Sequence, residues 1–280
     1  MFMIKRERYL KQIMPFIDKP VIKVITGIRR CGKSTFLKLI YAFLIEKGIE
    51  PNRILLINKD SLQFDSLRNY LQLAEYVNTY FKNVSGNKYL FVDEVQEIDG
   101  WEKALSGFLT DNTADLYITG SNSRMLSSEL ATYISGRYIE IKMFTLTFSE
   151  FLKFRNISEP EKIETEFGLF MKQGGFPGIH HMENDDEVIE QYVSSIYDTI
   201  LLKDVVGRNG LRDVALLERI SRFTASNCGN ITSSKKISDF LKSQKIKGSV
   251  DTVQNYLSML SSAFIFHKVN PFDIKGKRLL

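Results

Sequence analysis

Residues 21–35 read Val-Ile-Lys-Val-Ile-Thr-Gly-Ile-Arg-Arg-Cys-Gly-Lys-Ser-Thr. The first part is an apolar run suited to a buried strand. Gly27, Ile28, Arg29, Arg30, Cys31, Gly32, Lys33, Ser34 and Thr35 then fit G-x-x-x-x-G-K-[ST], the phosphate-binding loop. Glycines let the backbone curl so that successive N–H groups face one concavity, and the helix beginning at Lys33 adds partial positive charge at its N-terminus. Lys33 can reach the β- and γ-phosphates of a nucleotide, and the Ser34 hydroxyl can ligate Mg²⁺. Strand, loop and helix in this order set the expected fold class: α/β, a parallel P-loop NTPase sheet sandwiched by helices.

The flanking sequence repeats the alternation. Strand-like runs occupy 21–27, 53–60, 88–95, 115–121 and 137–144, with helical patterns at 33–48, 66–81 and 100–112. The central runs are apolar on both pleat faces, as in strands covered on both sides. Gly48 followed by Pro51 marks the end of the first of these helices.

The run Tyr89-Leu90-Phe91-Val92-Asp93-Glu94 closes a strand with two carboxylates. Ligands of open α/β sheets bind beyond the carboxyl ends of the strands. Asp93 is therefore expected to help Ser34 hold Mg²⁺, and Glu94 to polarise the attacking water. The next strand ends in Thr119-Gly120-Ser121-Asn122-Ser123. Ser121 or Asn122 is the expected contact to the γ-phosphate or the water, although such a run is also an ordinary turn. Arg137, in Ser-Gly-Arg-Tyr, reads either as a surface arginine at a strand start or as one supplied in trans to a transferring phosphoryl group.

Beyond residue 146 the strand signal fades into helical patterns, interrupted by the turn cluster Gly174-Gly175-Phe176-Pro177-Gly178. At 280 residues the chain is long enough for about two domains. The organisation expected is an ATPase-type domain over 1–150, a helical lid or linker over 151–226 and a further module over 227–280. In that module a helix, a turn and a helix capped by Ser249 precede two strand-like runs, the first at 264–272, which is a winged-helix arrangement. Residues 226–280 carry nine Lys or Arg against three Asp, a net of +6, while the rest of the chain nets −1. Residues 235–280 thus read as a DNA-contact surface or as a solvated, partner-contact face.

Composition excludes several classes. Two cysteines rule out a disulfide scaffold and suggest a reducing, cytoplasmic setting. No run approaches the roughly 18 apolar residues of a membrane span. Lys5, Arg6, Glu7 and Arg8 interrupt any signal-peptide core. His180, His181 and His267 form no metal spacing with Cys31 and Cys228.

Taken with their order along the chain, residues 23–35, 89–102, 116–126, 135–151, 174–179 and 249–266 resemble the AAA-type ATPases of archaea and bacteria that couple a P-loop core to a winged helix. The resemblance is closest to members that carry a further C-terminal domain of unknown function, similar to restriction-endonuclease-like folds. It implies ATP binding and hydrolysis with Mg²⁺, Asp93 and Glu94 as the Walker B pair, a sensor at Ser121 or Asn122, and Arg137 as an arginine finger that would favour oligomerisation. Members typically continue past the winged helix, so this sequence is expected to stop short of that last domain. No nuclease activity is assigned. Two other functions fit the motifs: a P-loop small-molecule kinase, and a nucleic-acid-binding regulator that binds ATP with little turnover.

Overall fold

All five expected strands form in a computed structural model of the chain, which describes residues 4–123, 134, 136–183 and 185–269. They are β1 (Ile22–Gly27), β2 (Ile54–Asn58), β3 (Tyr89–Asp93), β4 (Asp115–Gly120) and β5 (Tyr138–Met143). The sheet order is β2-β3-β4-β1-β5, and every pairing is parallel. Parallel neighbours need crossovers, and helices supply them here. These are α2 (Lys33–Glu46), α3 (Tyr70–Phe81) and α4 (Trp101–Thr110), with α1 (Glu7–Ile13) ahead of β1.

Alternate residues of each strand feed opposite faces. Val24, Ile57, Val92 and Ile118 pack with Leu73 and Val77 of α3 and Leu105 of α4. Ile25, Phe91, Tyr117 and Ile141 pack with Tyr9 of α1 and Phe36 and Ile40 of α2. The double burial predicted from apolar runs is therefore met by one helical layer on each face, giving the α/β P-loop NTPase fold. Helix ends follow local chemistry. Asn69 and Gln72 form a capping box that starts α3 at Tyr70, four residues later than the sequence pattern begins. After α2, Gly48 (φ +86°) turns left-handed, and Ile49 N–H donates back to the Leu44 carbonyl at 3.1 Å.

The amino-terminal end of the sheet carries a buried polar network. Lys23 pairs with Asp115, whose carboxylate also accepts from Tyr117 Oη (2.7 Å) and Asp18 N (3.0 Å). Burial lowers the Lys23 pKa and raises that of Asp115 against their mutual attraction. Tyr89, donating to Asp18 at 2.8 Å, is pushed up to about 12, chiefly by burial.

After β5 come α5 (Phe148–Phe154), α6 (Ile163–Gln173) and α7 (Asp186–Thr199). Phe151, Ile179 and Ile189 make a small core with Phe148, Phe170 and Tyr192. The chain divides into two compact units, through Ile196 and from Tyr197, whereas the sequence organisation puts limits at 150 and 226. Past Thr199 the helical pattern of α7 continues as a π-helix over Ile200–Gly207.

The second unit contains that π-helix with α8 (Val214–Ser226), α9 (Ser234–Ser243) and α10 (Val250–Ser262). Leu217, Ile220, Ile237, Leu241, Val253 and Leu260 are buried. Ser249 caps α10 by accepting from Thr252 N at 3.1 Å. The helix–turn–helix is present, but the strand expected from residue 264 does not form over 264–269. Phe264 is left-handed (φ +61°) and buried, and Ile265 N–H turns back to the Leu260 carbonyl, which closes the helix instead of extending the chain. The second wing strand lies outside the described residues. No helix among the described residues is long and apolar enough to cross a membrane.

Candidate active site

The register of three adjacent strands assembles the site. Thr26 of β1 lies beside Gly120 of β4, and Val92 of β3 lies beside Ile118 of β4. The residues that follow, from Gly27, Glu94 and Ser121, therefore leave the sheet from neighbouring carboxyl ends. This is where such folds hold ligands.

Gly27 has φ +152°, and a Cβ there would stand 2.2 Å from the Met143 carbonyl oxygen. Only glycine lets β1 end so close to β5. Arg30 (φ +65°) and Gly32 (φ +104°) are left-handed, so the loop curls before α2 starts at Lys33. Such alternation turns successive N–H groups toward one side and makes an anion nest. Cys31 is fully buried, and burial pushes its thiol pKa up. Ile28 and Arg29 are half-buried, while Arg30, Ser34 and Thr35 are exposed.

Lys33 is nearly buried, and its Nζ donates to the carbonyls of Gly27 (3.0 Å) and Ile28 (3.2 Å). The same ammonium stands 3.8 Å from Glu94 Oε1. Asp93 is buried and hydrogen-bonded to the hydroxyls of Ser34 and Thr119. Burial raises its pKa, against the pull of those two hydroxyls and of Lys33. Glu94 is left-handed (φ +53°), an uncommon conformation for a non-glycine residue. Its N–H donates to Thr119 Oγ1 at 2.9 Å, and its Oε2 accepts from Gln96 Nε2 at 2.5 Å.

Hydroxyl and carboxylate oxygens from Ser34 and Asp93 are hard donors suited to Mg²⁺. That ion is held in nucleotide sites by one or two carboxylates and the phosphates, not by an all-protein cage. No cluster of three or more His, Cys, Asp or Glu among the described residues forms a cage of that kind. The residues present thus fit a Mg²⁺–nucleotide pair.

Ser121 is buried at the end of β4, between the ends of β1 and β3, and Asn122 beside it is half-exposed. Arg137 is not brought to this site. It precedes β5, its carbonyl accepts from Ile22 N at 2.9 Å, and it therefore stands at the amino end of β1. The six residues of β1 separate it from the loop by about 17 Å at ~3.3 Å per residue. Within its own chain Arg137 thus stands at the end of β1 opposite the loop and is not brought to Lys33, Asp93 or Glu94.

Two participants escaped sequence reading. Thr119 links Asp93 and Glu94 through one hydroxyl. Its signal was the strand register, which is visible only once β3 and β4 are known to be neighbours. Gln96 holds Glu94 from two residues downstream. Nothing in Val-Gln-Glu marks it out.

A family model described as an AAA domain matches residues 19–152, and one described as a domain of unknown function matches 165–279. An uncharacterized protein of Haemophilus influenzae is 36% identical over 279 residues, covering 99% of this chain and 69% of its own length. The uncharacterized protein MJ1544 of Methanocaldococcus jannaschii is 32% identical over 270 residues, and the chain spans 58% of that relative. Among solved structures, the Aeropyrum pernix ORC1 protein in complex with DNA aligns with a TM-score of 0.43 at 12% identity, covering 94% of this chain and 85% of that one. The Pif1 helicase of Candida albicans aligns at 0.36 and 17% identity, over 60% of this chain and 47% of that one. On its identity to the Haemophilus influenzae relative and the share of that protein it covers, the chain belongs to that protein's family, and its residues 19–152 match the model of an AAA domain.

Proposed function

We propose that the chain binds ATP with Mg²⁺ beyond the carboxyl ends of β1, β3 and β4 and hydrolyses it to ADP and phosphate. One observation carries this reading: Lys33, Asp93 and Glu94, drawn from two separate strand ends, meet within hydrogen-bond and ion-pair reach at the N-terminus of α2. The backbone from Gly27 to Thr35 cradles the phosphates, and Lys33 exchanges its carbonyl partners for phosphate oxygens. Ser34 and Asp93 hold the cation, which supplies charge neutralisation at the β- and γ-phosphate oxygens. Glu94, fixed by Thr119 and Gln96, takes the role of aligning and polarising the attacking water. Ser121 and Asn122 are the sensor positions. Arg137 serves only a nucleotide held by another copy, which would make assembly part of the chemistry.

The second unit is read as the contact module. Its helix–turn–helix exposes Lys235, Lys236, Lys242, Lys245 and Lys247. This supports DNA-backbone contact through residues 235–280, with a protein partner as the alternative occupant.

Two variants test the site. Lys33→Ala should abolish ATP binding measured by calorimetry, because the phosphates lose their point charge. Glu94→Gln should keep ATP affinity and lose turnover, since the amide keeps size without basicity. Parent-level affinity in the first variant, or parent-level hydrolysis in the second, would remove the assigned role.

A further inference from the structure

Arg6 lies ahead of α1 and outside the residues matched as an AAA domain. Its side chain is only 5% exposed. A guanidinium has five N–H donors, and a buried one must find acceptors for them. Arg6 does. Nε and Nη2 form a fork on Glu150 at 2.9 and 2.8 Å. Nη1 donates to the carbonyls of Cys31 (3.1 Å) and Phe144 (2.9 Å), and Nη2 donates also to Thr145 O (3.1 Å). The Tyr9 ring lies 4.6 Å from the guanidinium carbon. Glu150 is itself held by the Thr147 cap that starts α5. Burial pushes its pKa up, but the hydrogen bonds from Arg6 and Thr147 hold it below the usual carboxylate range.

One of these acceptors belongs to the phosphate loop. A trans peptide is planar, so the Cys31 C=O and the Gly32 N–H point in opposite directions. The other carbonyls on Arg6 follow β5, which flanks β1 on one side. Asp93 and Glu94 lie on the other side, across β4. Drawing the Cys31 oxygen toward the β5 flank therefore turns the Gly32 N–H toward the flank where Lys33, Ser34 and Asp93 gather. We propose that Arg6 is a positioning residue for nucleotide binding: its hydrogen bond to the Cys31 carbonyl aims the Gly32 N–H into the anion cradle. This rests on the reading of residues 27–35 as the phosphate site.

The test measures binding of inorganic tripolyphosphate and of ATP to the full chain by calorimetry, below the melting temperature of each variant. Arg6→Lys keeps the charge but offers three donors from one nitrogen, too few and too compact for five spread acceptors. It should weaken both ligands by about tenfold and in the same proportion, because tripolyphosphate has no base or sugar through which an effect elsewhere could act. Tyr9→Phe loses the hydroxyl that accepts from Phe144 N at 3.0 Å, and so loosens the anchoring of α1 without touching Cys31. It should lower the melting temperature and leave tripolyphosphate affinity at the parent value. Lys5→Ala, an exposed neighbour 3.9 Å from Glu46, should change neither. Parent-like affinity in Arg6→Lys overturns the positioning role alone. So does an equal loss in Tyr9→Phe, which would trace the effect to the anchoring of α1. Failure of the parent protein to bind either ligand overturns the phosphate-site reading itself, and the positioning role with it.

Discussion

Replacing Gly27 by alanine tests the geometry at the mouth of the site. Two costs are legible at that position. Alanine must hold φ near +152°, which for a residue with a Cβ costs about 1–3 kcal/mol. The new Cβ would also stand 2.2 Å from the Met143 oxygen, where a carbon–oxygen contact settles at about 3.3 Å. The obstacle is backbone in the last pair of the β1–β5 ladder, so about 1 Å of relief must come from the sheet. Overpacking of this kind costs roughly 1–3 kcal/mol more. The total of about 2–6 kcal/mol lowers melting of the 196-residue first unit by on the order of 10 °C, at roughly 2–4 °C per kcal/mol. Gly48→Ala is the control. Its φ is also positive, +86°, but no atom lies within 4 Å of an added Cβ. It should cost only about 1–2 kcal/mol, or roughly 2–8 °C. Thermal unfolding followed by circular dichroism compares the two. If Gly27→Ala melts no lower than Gly48→Ala, the close approach of β1 and β5 is not a constraint and the steric reasoning fails.

Two further outcomes follow from the same structure. His180 sits between the rings of Phe151 and Phe154, at centroid distances of 4.9 and 5.2 Å, with its Nε2 unpaired. Burial, aided by Arg155 and His181 and opposed by Glu166, lowers its pKa from 6.5 to about 4. The unfolded chain then binds the extra proton between about pH 6.5 and 4, so this stability is complete above 6.5 and is lost as pH falls through that window. At full strength the shift is worth about 3 kcal/mol, and half-exposure cuts it to about 1–2 kcal/mol. His180→Phe should therefore narrow the gap in melting temperature between pH 7.5 and pH 5, and an unchanged gap would refute the assignment. For the second unit, Lys245→Ala with Lys247→Ala should lower the salt slope of binding to a random duplex by at most about two, at about 0.9 per phosphate contact, while leaving ATP binding unchanged. No duplex binding at low salt would refute the DNA reading.

The sequence was most informative where chemistry and periodicity coincide. The loop from Gly27 to Thr35 carries its own glycines, its lysine and its flanking strand, and apolar runs such as Leu90–Val92 declare burial on both faces. What stayed hidden depends on partners distant in the chain. Thr119 matters because β4 lies between β3 and β1, an order that no local pattern encodes. Arg6 meets residues 25, 138 and 144 positions away. The run after Ala263 has strand-like composition, yet a left-handed Phe264 decides its backbone. Arg137 was legible as a residue type but not as a place: the direction of β5 puts it at the end of the sheet opposite the loop.

The Arg6 fork has a consequence for how the protein is cut into parts. The stretch that matches the AAA-domain model begins at residue 19 and includes Glu150, so it contains one jaw of the fork and omits the other. The span that the domain model matches and the span that the fork ties together have different edges. A fragment trimmed to residue 19 would keep every letter of the phosphate motif but lose Arg6 and its hydrogen bond to the Cys31 carbonyl. It would also leave a carboxylate that normally faces a cation stranded beside three bare carbonyls. Residues 4–18, which bear no motif at all, thus supply a side chain that holds the backbone of the loop at Cys31.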